Sequence, residues 1–301
     1  MGEVYEARYG LTTSERVYGT VNENLEGRGP CYLRTEGISA EQEESLFKAY
    51  LNMAPSQTLK WIESERRPSQ FNVEIEGTEP YIVGGHTASG YWVDTGRATT
   101  IRGLFAAGDV AGGCPQKYVT GALAEGEIAA ASAVEYIEKH TAAPIKESEI
   151  RAHHAEIERF TGENRSQFTT EQLEEAMQTV MDSYAGGIKT NYRFNEKQLD
   201  IAEHKIKQLI KLSDDLHAGD FQELMYIYEL RERLTVCVSV IAHLRARRET
   251  RWHSFAENLD YPNKDDANWK KYVNSRMENG EIKIILRDLT EEGQKIYEHS
   301  N

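Results

Sequence analysis

Cysteine is scarce in this sequence, and no stretch of it is both long and apolar. The 301 residues include three cysteines, Cys31, Cys114 and Cys237. Because they are odd in number and far apart, they fit neither a disulfide framework nor a Cys-x-x-Cys metal site. No run approaches the ~20 apolar residues of a membrane-spanning helix, and the initial MGEVYEARYGL has no signal-peptide core. We therefore expect a protein of the reducing cytoplasm with no metal site and no membrane span.

Positive charge is also in short supply. There are 35 Lys and Arg residues against 49 Asp and Glu residues, which gives a formal net charge of −14. A surface this acidic repels phosphate backbones and anionic headgroups. The composition therefore argues against nucleic acid and anionic membranes as partners, but it does not choose a function.

The glycines and the helical patterns divide the chain into two parts. Glycines cluster in the first 140 residues, whereas apolar spacing from Glu147 onward is mostly helical. A proline and small residues at 140–145 predict a linker between the two parts. In the second part the spacing predicts a helical bundle from segments 170–184, 195–216 and 221–251, then an irregular tail and a strand at 281–286.

The first part mixes both kinds of element, so the predicted fold class is α+β or α/β. Predicted helices span 41–53, 57–64 and 122–140, and alternating residues predict strands at 71–76 and 90–94. The apolar run 103–108 has the pattern of a buried parallel strand that ends in Gly-Asp.

The most informative local motif is Thr100-Ile-Arg-Gly-Leu-Phe-Ala-Ala-Gly-Asp109. A carboxylate at the carboxyl end of a sheet strand lies where open α/β sheets bind ligands, and it accepts hydrogen bonds from sugar-like hydroxyls. The helix that begins near Gly121 offers free N–H groups to an anion or to an electron-rich ring edge. The alternative interpretation is that Asp109 only caps the next element.

Several motifs resemble one flavoprotein superfamily. Gly103-Leu-Phe-Ala-Ala-Gly-Asp109 and Gly121-Ala-Leu-Ala-Glu-Gly126 resemble the second flavin-binding motif of the succinate dehydrogenase/fumarate reductase flavoproteins. The resemblance extends, in the same order, to Glu26-Gly-Arg-Gly29, Arg248-Glu-Thr-Arg251 and Asp260-Tyr-Pro…Asp265-Asp-Ala-Asn-Trp269. The branch it most resembles is the alpha subunit of adenylylsulfate (APS) reductases, on Glu79-Pro-Tyr-Ile-Val-Gly-Gly-His86, Lys117-Tyr-Val-Thr-Gly121 and Ser183-Tyr-Ala-Gly-Gly-Ile-Lys-Thr-Asn-Tyr192.

The resemblance implies an FAD-dependent oxidoreductase of sulfur metabolism that reduces APS to sulfite and AMP through a flavin N5 adduct. It implies a catalytic role for His86 beside the flavin and the substrate. The cofactor-binding residues that it implies are Gly108, Asp109, Thr120, Gly121, Ala122 and Leu123. Because the chain has no cysteine cluster, the iron–sulfur centres are expected on a partner, the beta subunit.

The resemblance also implies a domain division. Residues 1–70 would be the end of a capping domain, 71–140 the second half of the FAD-binding domain, and 147–301 a helical C-terminal domain with an irregular tail. No Gly-x-Gly-x-x-Gly follows a strand, so the pyrophosphate-binding half of the flavin domain is not expected in this chain. We therefore expect the C-terminal portion of a longer flavoprotein, inactive by itself and with weak or no FAD binding.

Two alternatives stay open at this point. The first is a relative of fumarate reductase, succinate dehydrogenase or aspartate oxidase, although the arginine that those enzymes place before the flavin helix is missing and Lys117 is not an equivalent fork. The second is a non-catalytic fragment or interaction module without FAD. The cluster Arg245, Arg247, Arg248 and Arg251 indicates dipole compensation and solvation, with contact to an acidic partner or a substrate phosphate left open.

Overall fold

The computed structural model describes residues 13–53, 55–75, 90–112, 119–142, 144–163, 166–251 and 256–289. The chain forms two compact units, Met1–Glu79 and Pro80–Asn301, which are described separately. The predicted linker at 140–145 lies between two helices of the second unit, and its described residues form no regular element.

The first unit combines helices with a short antiparallel sheet. Its elements are α1 (Thr13–Leu25), β1 (Cys31–Leu33), α2 (Ala40–Met53), α3 (Pro55–Glu63) and β2 (Val73–Ile75). The two strands pair with Cys31 opposite Ile75. Ser39 begins α2 with a reciprocal cap, since the Gln42 N–H donates to its hydroxyl at 3.2 Å and the Gln42 side chain accepts from its N–H at 3.0 Å. The predicted helices and strand of this region are confirmed.

Buried carboxylates fix the turns of the first unit. Glu43 accepts hydrogen bonds from the backbone N–H and the hydroxyl of Ser69, at 3.2 and 2.7 Å. These bonds hold the pKa of Glu43 below its usual value. Glu23 receives a two-pronged bond from Arg28, at 2.7 and 2.6 Å, and this contact closes the Glu-Gly-Arg-Gly turn after α1. The arginine of that motif therefore has a structural partner in this chain.

The second unit begins, among the described residues, with an irregular segment in place of strands. The predicted strands at 90–94 and 103–108 are reduced to isolated bridges such as Tyr91 with Ala111 and Ala98 with Phe105. Gly103 and Gly108 adopt φ values of +79° and +70°, which interrupt an extended run at both of its ends. The prediction of a buried parallel strand at 103–108 is therefore wrong, because the apolar run forms an irregular loop that packs against the helix Val119–Lys139.

A helical bundle forms the core of the second unit. Its elements are α4 (Val119–Lys139), α5 (Glu147–Thr161), α6 (Thr170–Tyr184), β3 (Arg193–Phe194), α7 (Glu196–Ser213), α8 (Phe221–Ala246), β4 (Glu257–Asn258), α9 (Asp266–Trp269), β5 (Lys271–Glu278) and β6 (Glu281–Asp288). Helix α8 contacts α5, α6, α7 and both strands of the β5–β6 hairpin. The buried centre includes Phe160, Leu199, Ile206, Ile227, Leu234 and Ile241. The predicted bundle is confirmed, although α8 ends before residue 251.

The β5–β6 hairpin covers one side of α8. Its two-residue loop is Asn279-Gly280, with φ values of 51° and 79°, the left-handed pair that a tight hairpin turn requires. His243 of α8 contacts the Ser275 hydroxyl of β5 at 2.8 Å. Burial and the nearby charge of Arg247 lower the pKa of His243. Strand β5 was not predicted, but the Asn-Gly pair was the signal that marks it.

A buried carboxylate joins the end of α8 to the hairpin. The Glu249 side chain has no exposed surface and receives hydrogen bonds from Arg247 at 2.6 Å and from Arg251 at 2.7 and 2.9 Å. Its second oxygen also accepts from the backbone N–H of Asp265 at 2.9 Å. Arg247 in turn donates to the carbonyls of Trp269 and Lys271, where the hairpin begins. We call Arg247, Glu249 and Arg251 the Glu249 cluster.

Two further motif residues organise the loop after α8. Thr250 is buried, and its hydroxyl accepts from the Asn258 N–H at 3.0 Å and donates to the Tyr261 carbonyl at 2.9 Å. The carboxylate of Asp260 accepts from the Glu196 N–H at 2.8 Å and so binds the first turn of α7. The two motifs that resemble the helical domain of the superfamily therefore bind each other and the bundle.

We expect Glu249→Gln to destabilise the second unit by about 3–5 kcal/mol, because it leaves two guanidinium groups without their buried counter-charge. Thermal unfolding followed by circular dichroism measures this loss. The matched control is Glu196→Gln on a half-exposed pair with Arg245, for which about 0–1 kcal/mol is expected. Equal losses in the two variants would contradict the assignment of Glu249 as the central contact.

Candidate functional site

The segment 90–112 lies along α4 and is held there by small residues. A β-carbon at Gly96 would lie 2.8 Å from the Ser132 hydroxyl, and one at Gly103 would lie 3.4 Å from the Tyr136 ring. Phe105 adds an edge-to-face contact with Tyr136 at 6.1 Å between ring centroids. These close approaches fix the loop on the helix without strand pairing.

The turn that carries Asp109 packs on the first turns of α4. Residues Gly108–Val110 form one 3-10 turn, and the φ of Gly108 is +70°. A β-carbon at Gly108 would lie 3.2 Å from the Ala122 methyl group, so glycine is needed both for its backbone angle and for its size. Gly108 is buried while Asp109 is exposed. The structure thus brings the Asp109 turn to the start of the helix.

A short parallel pairing supports the same turn. The Tyr91 N–H donates to the Val110 carbonyl at 2.7 Å, and the Gly112 N–H donates to the Tyr91 carbonyl at 2.8 Å. Ala111, between those two partners, is fully buried. The chain is therefore fixed on both sides of Asp109. Gly108, before it, packs against Ala122, and Val110 and Gly112, after it, are hydrogen-bonded to Tyr91.

The first turn of α4 carries the remaining predicted cofactor residues, Thr120, Gly121, Ala122 and Leu123. The first N–H groups of a helix have no partner within the helix, and they present a partial positive charge. Apolar side chains are exposed around them: Val119 is 74% exposed, Leu123 70% and Val110 53%. Backbone donors and exposed apolar side chains thus lie together at the first turn of α4. We call this turn, together with the Asp109 turn that packs on it, the binding edge.

These groups fit part of a flavin. A carboxylate accepts hydrogen bonds from ribityl hydroxyls, helix N–H groups suit the electron-rich edge of the ring, and apolar side chains suit its face. The glycine contact at Ala122 brings the carboxylate turn close enough to the helix to serve one ligand. The predicted residues Gly108, Asp109 and Thr120–Leu123 are therefore adjacent in the structure, whereas their roles toward a cofactor stay a prediction.

One pair of this region was missed by the sequence reasoning. Arg97 makes a two-pronged contact with Glu125 of α4, at 2.6 and 2.9 Å, and both side chains are mostly buried. The signal in the sequence was Glu125, a carboxylate within the largely apolar first half of α4, where a buried charge needs a partner. His86, Lys117 and Cys114 lie outside the described residues.

The arginine cluster at the end of α8 is bound within the second unit. Arg245 donates to three carboxylates of α7, Glu196, Asp200 and Glu203, at 2.6–2.9 Å. Arg247 and Arg251 belong to the Glu249 cluster, and Arg248 is exposed. Ion pairing, rather than solvation, therefore accounts for three of the four side chains.

Comparison with known proteins shows what this chain is similar to. Residues 174–298 match the family model described as "Fumarate reductase flavoprotein C-term". The alpha subunit of adenylylsulfate reductase from Megalodesulfovibrio gigas is 27% identical over 90% of this chain and 48% of its own length. The resemblance seen in the sequence is thereby confirmed. This chain is similar to an adenylylsulfate reductase alpha subunit over most of its length, and its residues 174–298 are similar to the C-terminal part of fumarate reductase flavoproteins.

Solved structures show the same relationship. The adenylylsulfate reductase of Archaeoglobus fulgidus superposes with a TM-score of 0.82 at 29% identity, over 95% of this chain and 51% of that chain. The quinol fumarate reductase of E. coli shares the fold, with a TM-score of 0.67 at 18% identity, over 95% of this chain and 50% of that chain. The chain thus spans about half the length of the relatives it matches.

The described residues include neither a membrane-spanning helix nor a cluster of metal ligands. None of the described helices is long and apolar enough to cross a membrane. No group of three or more His, Cys, Asp or Glu side chains within the described ranges has the geometry to hold a metal ion.

We expect Gly108→Ala to destabilise the Asp109 turn by about 1–2 kcal/mol, because a β-carbon is disfavoured in the left-handed region. The added methyl group would also crowd Ala122. The matched control is Gly126→Ala in α4, where a β-carbon meets nothing within 4 Å. Alanine there should stabilise the helix by about 0.8–1 kcal/mol. Thermal unfolding and amide exchange of residues 108–112 report both changes, and a stable Gly108→Ala variant would contradict the packing argument.

Proposed function

We propose that this chain is part of an FAD-dependent oxidoreductase subunit similar to the alpha subunit of adenylylsulfate reductase. The observation that carries the proposal is the adjacency of the Asp109 turn and the first turn of α4, held by the Gly108–Ala122 contact. The same arrangement combines a carboxylate, the N–H groups of the first turn of a helix and exposed apolar side chains. The relationship to flavoproteins across most of the chain supports it.

In this proposal each residue of the candidate site has a separate role in binding FAD. Asp109 binds ribityl hydroxyls, and the backbone of Thr120–Leu123 binds the edge of the ring through its N–H groups. Gly108 keeps the turn close enough to Ala122 for both to reach one ligand. FAD supplies the two-electron transfer when it is bound. The protein binds and orients the cofactor and stabilises the charge that develops on it.

APS chemistry is favoured over dicarboxylate chemistry for two reasons. The adenylylsulfate reductase of Archaeoglobus fulgidus is the more similar of the two structures compared here, in both TM-score and identity. In addition, a dicarboxylate requires clamping by planar guanidinium forks. Three of the four arginines at the end of α8, Arg245, Arg247 and Arg251, are paired with carboxylates of this chain, Glu249 and those of α7. We therefore propose APS, or a closely related sulfur oxyanion ester, as the substrate class of the complete flavoprotein.

This sequence has no group that could deliver the electrons for such a reaction to the flavin. Two-electron reduction of APS needs a donor, and the three cysteines of this chain are too few and too far apart for an iron–sulfur cluster. We therefore propose a separate iron–sulfur subunit as the partner that delivers electrons to the flavin.

We expect this chain by itself to bind FAD weakly and to lose it during gel filtration. Titration with FAD, followed by amide chemical shifts, should perturb Asp109 and Thr120–Leu123 and leave the amides of α6 and α7 unchanged. Asp109→Asn should weaken binding about tenfold, since it keeps an acceptor oxygen but loses the charge assistance, a difference of about 1–1.5 kcal/mol.

The matched control for this titration is Glu138→Gln, which removes an exposed carboxylate at the other end of α4. It should leave the FAD-induced shifts unaltered. Shifts confined to α6 and α7, or no shifts at millimolar FAD, would overturn the proposed cofactor site.

The substrate class has its own test in the complete flavoprotein. We expect APS, and not fumarate, to oxidise the reduced protein, and we expect sulfite to bleach the visible absorbance of its flavin. The physical reason is that a small sulfur oxyanion needs no pair of guanidinium forks, whereas fumarate does. Rapid turnover of fumarate without a response to sulfite would move the assignment to the fumarate reductase branch.

A further inference from the structure

Arg97 and Glu125 form an ion pair immediately beyond the proposed flavin-binding turn of α4. The Arg97 Nε donates to one carboxylate oxygen at 2.6 Å and the Nη2 to the other at 2.9 Å. The side chains are 20% and 6% exposed. This two-pronged geometry fixes both the distance and the orientation of the two groups.

The backbone of Arg97 is hydrogen-bonded to the segment that leads into the Asp109 turn. Its carbonyl accepts from the Ala106 N–H at 3.0 Å, just before the turn that carries Asp109. Arg97 adopts a φ of +68°, a conformation that arginine rarely takes. The Asp94 side chain stabilises this turn by accepting from the Ala98 N–H at 2.9 Å. One residue therefore contacts α4 through its side chain and the Asp109 segment through its backbone.

Stability alone does not explain such a pair. A buried ion pair is often no more stabilising than well-packed apolar residues of similar volume, because both charges must be desolvated. What the fork adds is direction, since a guanidinium and a carboxylate align in one plane. The Gly108–Ala122 contact is apolar and sets how closely the turn approaches the helix, whereas the Arg97–Glu125 contact also sets a direction.

We propose that Arg97 and Glu125 are positioning residues that set the distance between the Asp109 turn and the first turns of α4. This inference rests on the proposed function, because the edge that they hold is the one proposed for FAD. The pair acts through Ala106 on one side and through the α4 backbone on the other. It does not itself contact the cofactor.

Three variants test the proposal in the full chain. Arg97→Met removes the positive charge and keeps an unbranched apolar side chain. Arg97→Lys keeps the charge but lacks the planar guanidinium group that makes two hydrogen bonds. The double variant, Arg97→Met with Glu125→Leu, replaces the ion pair by apolar side chains. The matched control is Arg102→Met, an exposed arginine of the same segment. Each protein is examined by amide hydrogen exchange, thermal unfolding and titration with FAD followed by chemical shifts.

We expect Arg97→Met to speed exchange at Ala106 and Gly112 by about tenfold or more, as local opening predicts, with Ala218 and Glu257 in the bundle unchanged. Arg97→Lys should fall between this variant and the wild type. The double variant should recover the unfolding temperature but not the FAD-induced shifts at Asp109 and Thr120–Leu123. Recovery of stability without recovery of the FAD response distinguishes a positioning pair from a purely structural one.

Several outcomes would overturn the proposal. Unchanged exchange at Ala106 and Gly112 in Arg97→Met would show that the pair does not hold the turn. Full recovery of the FAD response in the double variant would show that apolar packing suffices there. If the wild-type chain shows no FAD response, the proposed cofactor site fails, whereas the exchange measurement still decides whether Arg97 positions the turn.

Discussion

The buried carboxylate of Glu249 is the contact on which much of the second unit depends. It receives two guanidinium groups and a backbone N–H, and through Arg247 it fixes the start of the β5–β6 hairpin. The hairpin then reaches the segment that carries the candidate site, because Arg287 stacks on Trp92 at 3.8 Å from the ring centroid. A continuous series of contacts therefore leads from the end of α8 to the residues beside Asp109.

The candidate site itself depends on close approach rather than on a sheet. Glycines let the segment 90–112 lie directly on α4, and the Arg97–Glu125 pair fixes its position along the helix. A binding edge built in this way holds the Asp109 turn against a rigid helix, which suits the orientation of a cofactor. The exposed apolar side chains at Val119 and Leu123 then form part of the same edge.

The motifs that identify the superfamily separate into two physical classes. The Arg-Glu-Thr-Arg and Asp-Tyr-Pro motifs are structural, since Glu249, Thr250 and Asp260 bind other parts of the second unit. The Gly-Asp motif and the start of α4 leave polar and apolar groups at the surface instead. The relationship to flavoproteins therefore rests on both classes, whereas the proposed chemistry rests on the second class alone.

The sequence by itself determined α2 and α3 of the first unit and α4, α6, α7 and α8 of the second, because apolar periodicity and capping are local signals. The resemblance to flavoproteins, and not periodicity, indicated that Asp109 and Thr120–Leu123 belong together. Tertiary structure decided the rest. Positive φ values at Gly103 and Gly108 turned an apolar run into an irregular loop rather than a strand. The Arg97–Glu125 pair, and the contacts of the Glu249 cluster with Asp265 and with the start of the hairpin, join residues that are distant in sequence, and no local pattern in the sequence specifies such contacts.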